Sequence, residues 1–118
     1  MMSDIKRLHV EKRYSDAAIY NGVVYLAGQV PDDASADIAG QTRQVLGMVD
    51  QLLAEAGSDK SKILMAQIFL SDLADYDGMN SAWDEWVAVN HAPPRATIQA
   101  KLANPAWKIE VVVTAAAY

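Results

Sequence analysis

Arg95 is the side chain whose surroundings in the sequence point most directly to chemistry. It follows Pro93 and Pro94, which restrict the backbone, and it opens an apolar run with the composition of a β-strand. A guanidinium held in this way can bind a carboxylate through two parallel hydrogen bonds. The residues alone leave two interpretations open. Arg95 either anchors a small anionic ligand or forms a salt bridge within the fold, for example with Glu110 one strand away.

Glu110 is the second unusual charge, because it interrupts the apolar segment Lys108–Ala116. A carboxylate inside a buried strand needs a partner, so Glu110 either pairs with a cation or faces a site. His9 and His91 lack the spacing of metal ligands, and the chain has no cysteine. The sequence also lacks a phosphate-binding glycine loop and a serine-nucleophile motif. We therefore expect a site without a metal.

Two other clusters have a structural interpretation that we favour over a catalytic one. Trp83 and Trp86 are aromatic and could stack a ligand, but their helical spacing favours positions in the core or at an interface. Asp72, Asp75 and Asp77 precede or begin a helical pattern, where carboxylates cap the first turn and complement the helix dipole.

The composition argues against several classes of function. The 118 residues carry a formal net charge of -5, whereas nucleic-acid-binding proteins usually present a basic patch that neutralises phosphates. No apolar run is long enough to span a membrane, and the charged N-terminal segment does not resemble a signal peptide. We therefore expect a cytoplasmic protein that binds neither nucleic acid nor membranes.

Hydrophobic periodicity predicts six strands and two helices in one domain that comprises residues 1–118. The predicted strands are Ile5–Val10, Ala17–Tyr20, Val23–Ala27, Ile63–Leu70, Arg95–Lys101 and Trp107–Ala116, and the predicted helices are Asp37–Ala56 and Tyr76–Asn90. Asn21-Gly22 predicts a type I′ hairpin turn. Gly57 is expected just beyond the first helix, and Gly47 within it suggests close packing of the backbone, for instance against the sheet.

These elements predict an α+β fold in which two amphipathic helices cover one face of a mixed β-sheet. The other face of the sheet would still carry valine, isoleucine and alanine side chains. A two-layer domain cannot leave such a face in water, so the pattern predicts an oligomer.

Several segments together resemble the Rid (reactive intermediate deaminase) family, also called YjgF-like and, in older usage, endoribonuclease L-PSP. The resemblance covers nearly the whole chain. It rests on Tyr14, Gly28-Gln29-Val30-Pro31, Ile68–Leu73, Asp75–Asn80, Pro94–Gln99 and Lys108–Glu110. The Gly-Gln-Val-Pro and Pro-Arg-Ala-Thr segments are specific when they occur together at this separation.

The resemblance implies a chorismate-mutase-like fold, a homotrimer with ligand sites in the clefts between subunits, and no cofactor. It also implies hydrolysis of 2-imino acids, which leak from pyridoxal-phosphate enzymes, to 2-keto acids and ammonia. By the same resemblance, Arg95 grips the substrate carboxylate with help from a backbone N–H near Thr97. Tyr14 orients the imine or a water molecule, and Asn80 lines the cleft.

Two departures from the family pattern mark a divergent subgroup. Ala27 stands where the best-studied members have serine, so a hydroxyl is missing from the site. Val112 stands at the second glutamate of a Glu-Ile-Glu pattern, which the resemblance assigns to the attacking water, while Glu110 matches the first. Two functions therefore stay open, an imine deaminase and a non-catalytic protein that binds small carboxylates such as 2-keto acids. The acidity of the chain argues against the ribonuclease of the older name.

Overall fold

The computed structural model describes residues 4–118, which form six β-strands, two α-helices and two short 3₁₀ turns. The strands are β1 (Lys6–Val10), β2 (Ser15–Tyr20), β3 (Val23–Leu26), β4 (Ile63–Leu70), β5 (Arg95–Gln99) and β6 (Ile109–Ala116), the helices are α1 (Ile38–Glu55) and α2 (Tyr76–Trp86), and the 3₁₀ turns are Lys60–Lys62 and Leu73–Asp75. All eight predicted elements are present, so the α+β prediction is confirmed.

One mixed sheet contains all six strands in the order β1-β2-β3-β6-β4-β5. Strands β4 and β5 are parallel, because α2 carries the chain back across the sheet between them, and the other pairs are antiparallel. The β2–β3 hairpin turns at Asn21 and Gly22, whose φ angles of 55° and 75° are those of a type I′ turn. The predicted turn is therefore confirmed.

The core lies between the sheet and the two helices. Alternate residues of β6 are buried there, from Ile109 through Val113 to Ala115. Leu46 and Leu53 of α1 are also buried in it. Trp83 of α2 is 5% exposed and belongs to the same cluster, which confirms the structural interpretation of this tryptophan.

The side of the sheet opposite the helices, here called the open face, has no second layer within the described chain. Tyr25 of β3 is registered with Thr114 of β6, and Phe69 of β4 is registered with Ile98 of β5. Tyr25 and Ile98 are 53% and 47% exposed. The open face therefore presents large apolar side chains, and the oligomer predicted to cover them stays a prediction.

Helix α1 begins and ends where the sequence indicates. The Asp37 side chain accepts a hydrogen bond of 2.8 Å from the Gly40 N–H, and Gly57 has the left-handed φ of 80° that follows many helices. The expectation that Gly47 permits close packing is wrong, because a Cβ placed there would meet no atom within 4 Å. Gly47 instead lines a shallow groove between the two helices.

Helix α2 ends at Trp86, four residues before the predicted end at Asn90. Val87 leaves the helical region with a ψ of 138° and packs against the core. Asn90 then takes a left-handed φ of 65°, and the His91 N–H donates a hydrogen bond to the Ala88 carbonyl, which closes a turn. The helix thus ends at the point where the partly buried Val87 packs against the core, before the prolines that were expected to end it.

Strands β5 and β6 are each two residues shorter than predicted, for one reason. Leu70 is the last residue of β4, and it pairs with Gln99 on one side and with Ile109 on the other. Beyond Leu70 neither neighbour has a strand to pair with. Lys101 and Trp107 therefore lie in the connection between β5 and β6.

Candidate functional site

Arg95 is the first residue of β5, and its side chain lies beneath α2. It is registered with Ala66 of β4, which is fully buried in the core, so both side chains lie on the helix side of the sheet. The Arg95 Nη1 donates to Asn80 Oδ1 at 2.8 Å, and Nη2 donates to the Tyr76 hydroxyl at 3.2 Å. Its Cζ lies 5.1 Å from the Trp83 ring centroid and 5.9 Å from that of Tyr76. We call these four residues the arginine pocket.

The partners of Arg95 in residues 4–118 are all neutral. No carboxylate of this part of the chain forms a salt bridge with it. Stacking on aromatic faces and one amide oxygen hold the guanidinium in place without compensating its charge. The interpretation of Arg95 as one half of a salt bridge with Glu110 is therefore wrong, and the cation is available to an anion from outside the chain.

Thr97 follows on the same side of β5, two residues beyond Arg95. Its Oγ1 is the one buried side-chain oxygen or nitrogen in residues 4–118 that has no hydrogen-bond partner. A buried hydroxyl without a partner costs about 1–3 kcal/mol. Thr97 thus places a second unsatisfied group near the free cation.

Glu110 lies in a different place, a cavity of about 510 Å³ that we call the glutamate cavity. Its lining includes Tyr14, Asp16, Ala27, Gly28, Trp107 and Glu110. Tyr14 is 60% exposed at the cavity rim. The loop that carries Ala27 is tied to β6 by two backbone hydrogen bonds between Gln29 and Val111, of 2.8 and 3.0 Å.

Gly28 explains how the Glu110 carboxylate fits into this cavity. A Cβ built at Gly28 would overlap Glu110 Oε2 and would lie 2.9 Å from Glu110 Cδ. The carboxylate therefore rests on the Gly28 backbone in space that any side chain would fill. Val112 does not line the cavity; it is registered with Gln67 on the open face. Ala27 does line the cavity, and it presents no hydroxyl there.

The six candidate residues thus form two groups that do not meet within one chain. Arg95, Asn80 and Thr97 are on the helix side of the edge strand β5. Glu110 alternates with the buried residues of β6 and so points to the other side. Two strand spacings and three residues separate the Cα atoms of Arg95 and Glu110, which is about 10 Å across and about 10 Å along the sheet.

The sequence analysis did not select Tyr76 as a site residue, although the signal was present. Tyr76, Asn80 and Trp83 recur at spacings of four and three, which places them on one face of a helix. Only the topology shows that this face lies over Arg95. Asp72 accepts from the Ala74 N–H, as predicted for a cap, while Asp75 makes no such bond.

An ion-pair cluster borders the glutamate cavity. His9 Nδ1 lies 2.7 Å from Asp16 Oδ2, and His9 Nε2 lies 2.7 Å from Glu55 Oε2. The hydrogen bond to Asp16, followed by the bond to Glu55, raises the pKa of His9 above 6.5. Asp16 is shared with the cavity lining, so this cluster links the cavity wall to α1.

Neither a metal centre nor a membrane span is found in the part of the chain that the structure describes. No group of three histidine or acidic side chains in residues 4–118 is arranged to hold a metal ion. None of the helices there combines the length and the apolar character needed to cross a bilayer.

Proteins of known structure define the class to which this architecture belongs. A solved YjgF-family protein of Neisseria meningitidis superposes with a TM-score of 0.95 and 43% identity, over 98% of this chain and 96% of the other. The fold is thus the chorismate-mutase-like α+β fold of YjgF proteins. A "RutC family protein" of Haemophilus ducreyi is 59% identical over 112 residues, which are 95% of this chain and 96% of that protein.

The family model described as endoribonuclease L-PSP matches residues 4–117. The chain therefore belongs to the endoribonuclease L-PSP family, the RutC and YjgF proteins, and the resemblance noted in the sequence is confirmed. A more distant relative, "3-aminoacrylate deaminase RutC" of Acinetobacter baylyi, is 32% identical over 108 residues, or 86% of this chain and 85% of that protein.

Proposed function

We propose that this protein is a hydrolytic deaminase of reactive 2-imino and enamino acids, released by pyridoxal-phosphate enzymes, that yields 2-keto acids and ammonia. The observation that carries the proposal is the Arg95 guanidinium, held by neutral groups with its charge uncompensated. The relative named 3-aminoacrylate deaminase supports the reaction class, because 3-aminoacrylate is an enamine that carries a carboxylate.

The proposed reaction needs one anchor and one group that handles water. Arg95 binds the carboxylate of the 2-imino acid, and the adjacent imine carbon is the electrophile. Glu110 takes a proton from water as the water oxygen bonds to that carbon and the C=N electron pair moves to nitrogen. Glu110 returns that proton to the nitrogen, which gives a carbinolamine, and transfer of the hydroxyl proton to the amine then expels ammonia as the carbonyl forms. Tyr14 orients the imine or the water. Because the imine carbon is reactive, positioning and charge stabilisation suffice.

The proposal requires a second copy of the chain. The carboxylate and the imine carbon of a 2-imino acid are bonded to each other, whereas Arg95 and Glu110 of one chain lie far apart on opposite sides of the sheet. We therefore propose a homotrimer in which the arginine pocket of one subunit meets the glutamate cavity of the next. The apolar open face, with Tyr25 and Ile98 half exposed, supports this assembly.

Light scattering tests the assembly directly. We expect the molar mass of three chains for the wild-type protein and a smaller mass for Ile98→Lys, which places a charge on the open face. A monomeric wild-type protein with full activity would contradict the shared site.

Activity is tested with purified protein added to a threonine or serine dehydratase, while semicarbazide traps the imine that remains. We expect faster loss of imine with the wild-type protein. Arg95→Ala should lower the activity roughly 10- to 100-fold, since a hydrogen bond to a charged group contributes about 1.5–3 kcal/mol. Arg43→Ala is the matched control, because Arg43 is exposed on α1 and pairs with Glu85. Equal activity of the two variants would refute the role of Arg95.

The alternative function, binding of 2-keto acids without catalysis, is favoured by Ala27, which leaves the glutamate cavity without a hydroxyl at that position. Calorimetry distinguishes the two functions. Binding of pyruvate that Arg95→Ala abolishes, together with no imine hydrolysis, would establish the alternative. Cleavage of RNA that persists in Arg95→Ala would contradict both.

A further inference from the structure

We infer that the Tyr76 hydroxyl is a second anion anchor, which donates a hydrogen bond to the same carboxylate that Arg95 binds. The inference rests on the proposed function of the arginine pocket, and it assigns Tyr76 to the recognition of substrate. Tyr76 is the first residue of α2 and is 41% exposed, so its hydroxyl lies where the pocket opens.

The hydrogen-bond inventory of the pocket carries the inference. A phenol that accepts from a guanidinium N–H keeps its own proton for another acceptor. Arg95 is the one partner of the Tyr76 hydroxyl within residues 4–118, so this proton has no acceptor there. Because the neighbouring charge is a cation, an incoming anion is the acceptor that suits the position.

The two terminal nitrogens of the Arg95 guanidinium have different surroundings, and this difference determines the nitrogen at which an anion binds. Nη1 is bound at 2.8 Å to the Asn80 amide oxygen, and that bond is partly buried. Nη2 makes a longer bond of 3.2 Å to Tyr76, and that bond is exposed. An anion is repelled by the amide oxygen at Nη1 and is met by a donor at Nη2. The carboxylate therefore binds at the Nη2 end, within reach of the Tyr76 O–H.

The closing experiment measures the affinity for pyruvate by calorimetry for the wild-type protein, Tyr76→Phe and Arg95→Ala. Tyr76→Phe keeps the ring that stacks on Arg95 and removes the hydroxyl alone. Tyr118→Phe is the matched control, because Tyr118 is 84% exposed at the C-terminus. Thermal unfolding of each variant shows whether the fold is intact. Pyruvamide, which lacks the carboxylate, serves as the neutral probe.

We expect Tyr76→Phe to raise the Kd for pyruvate about tenfold, Tyr118→Phe to leave it unchanged, and Tyr76→Phe to leave the weak binding of pyruvamide unchanged. A Kd for Tyr76→Phe equal to or below that of the wild type would overturn the inference, because the hydroxyl would then be a spectator or a competitor of the ligand. If Arg95→Ala still loses binding in that case, the proposed function stands. Absence of wild-type binding would overturn both.

Discussion

Substitution of Gly28 by alanine is the sharpest test of the glutamate cavity. The Cβ that Gly28→Ala adds would occupy the space of Glu110 Oε2, so the carboxylate must leave the position it holds in the structure. The three atoms nearest to that Cβ all belong to the Glu110 side chain. The substitution therefore moves one functional group and leaves the chemical identity of every other cavity side chain unchanged.

The structure sets the magnitude of the effect on stability and on activity separately. Because the overlapping atoms are the end of a flexible side chain, Glu110 can rotate away at low cost. Replacing glycine by alanine also stabilises the fold by about 0.4–1 kcal/mol, because it lowers the entropy of the unfolded chain. We therefore expect a free energy of unfolding within about 1 kcal/mol of the wild type. A displacement of about 1 Å in a reacting group costs roughly 100-fold in rate, so turnover should fall by about that factor.

The assay combines imine hydrolysis, calorimetry with pyruvate and thermal unfolding. We expect Gly28→Ala to lose turnover and keep its affinity for pyruvate, since under our proposal Arg95, and not Glu110, binds the carboxylate. Gly47→Ala is the matched control, because its Cβ meets no atom within 4 Å. Gly47→Ala should keep full activity and raise the free energy of unfolding by about 1 kcal/mol, which corresponds to about 4 °C in Tm for a chain of 118 residues. Full turnover in Gly28→Ala would refute Glu110 as the group that handles water.

Three further predictions concern the scaffold around these sites. The pKa of His9 is raised above 6.5 in the folded state, so its ion pairs stabilise the fold fully below about pH 6.5, and this contribution disappears as the pH rises through the folded-state pKa. The difference in Tm between the wild type and His9→Gln should therefore shrink with rising pH. A difference that does not depend on pH would contradict this prediction. Gly78→Ala should lower the free energy of unfolding by about 1 kcal/mol. The new Cβ would lie 2.6 Å from Ile38 Cγ2, and this clash outweighs the gain in helix propensity. An unchanged midpoint in a urea titration would disprove the clash. Gln41→Leu should lower the free energy of unfolding by about 2–4 kcal/mol in the same urea titration. The fully buried Gln41 amide donates to three carbonyls and accepts from the Lys108 N–H, and the substitution removes all of these bonds. A loss below about 1 kcal/mol would show that water replaces the amide.

The fold was predictable because its signals are local. Asn21-Gly22 fixed the hairpin through its positive φ angles, and Gly57 marked the end of α1. The predicted element boundaries that were wrong depend on contacts between residues distant in sequence. Helix α2 ends where the partly buried Val87 packs against the core, and the ends of β5 and β6 follow from the last residue of β4, Leu70. No periodicity within one segment contains that information.

The candidate site residues could be named from the sequence, whereas their arrangement could not. Arg95 stood out from its sequence neighbours, but its partners Tyr76 and Trp83 belong to a helix whose placement over β5 is a property of the topology. The sequence marks Glu110 as a charge within an apolar strand, and only the structure shows that Gly28 makes room for its carboxylate. Pairwise contacts of this kind require the three-dimensional register of β6 against the Ala27–Gln29 loop.

The division of the site over two surfaces gives the open face a functional meaning under our proposal. A monomer with this sheet order would keep Arg95 at the β5 edge and Glu110 two strands away, and no side-chain rotation could close a gap of about 10 Å in each of two directions. Tyr25 and Ile98 would then matter for imine hydrolysis as well as for packing, since in the proposed trimer the apposition of subunits completes the site. The proposed trimer would also cover the half-exposed apolar face of a chain whose formal net charge is -5.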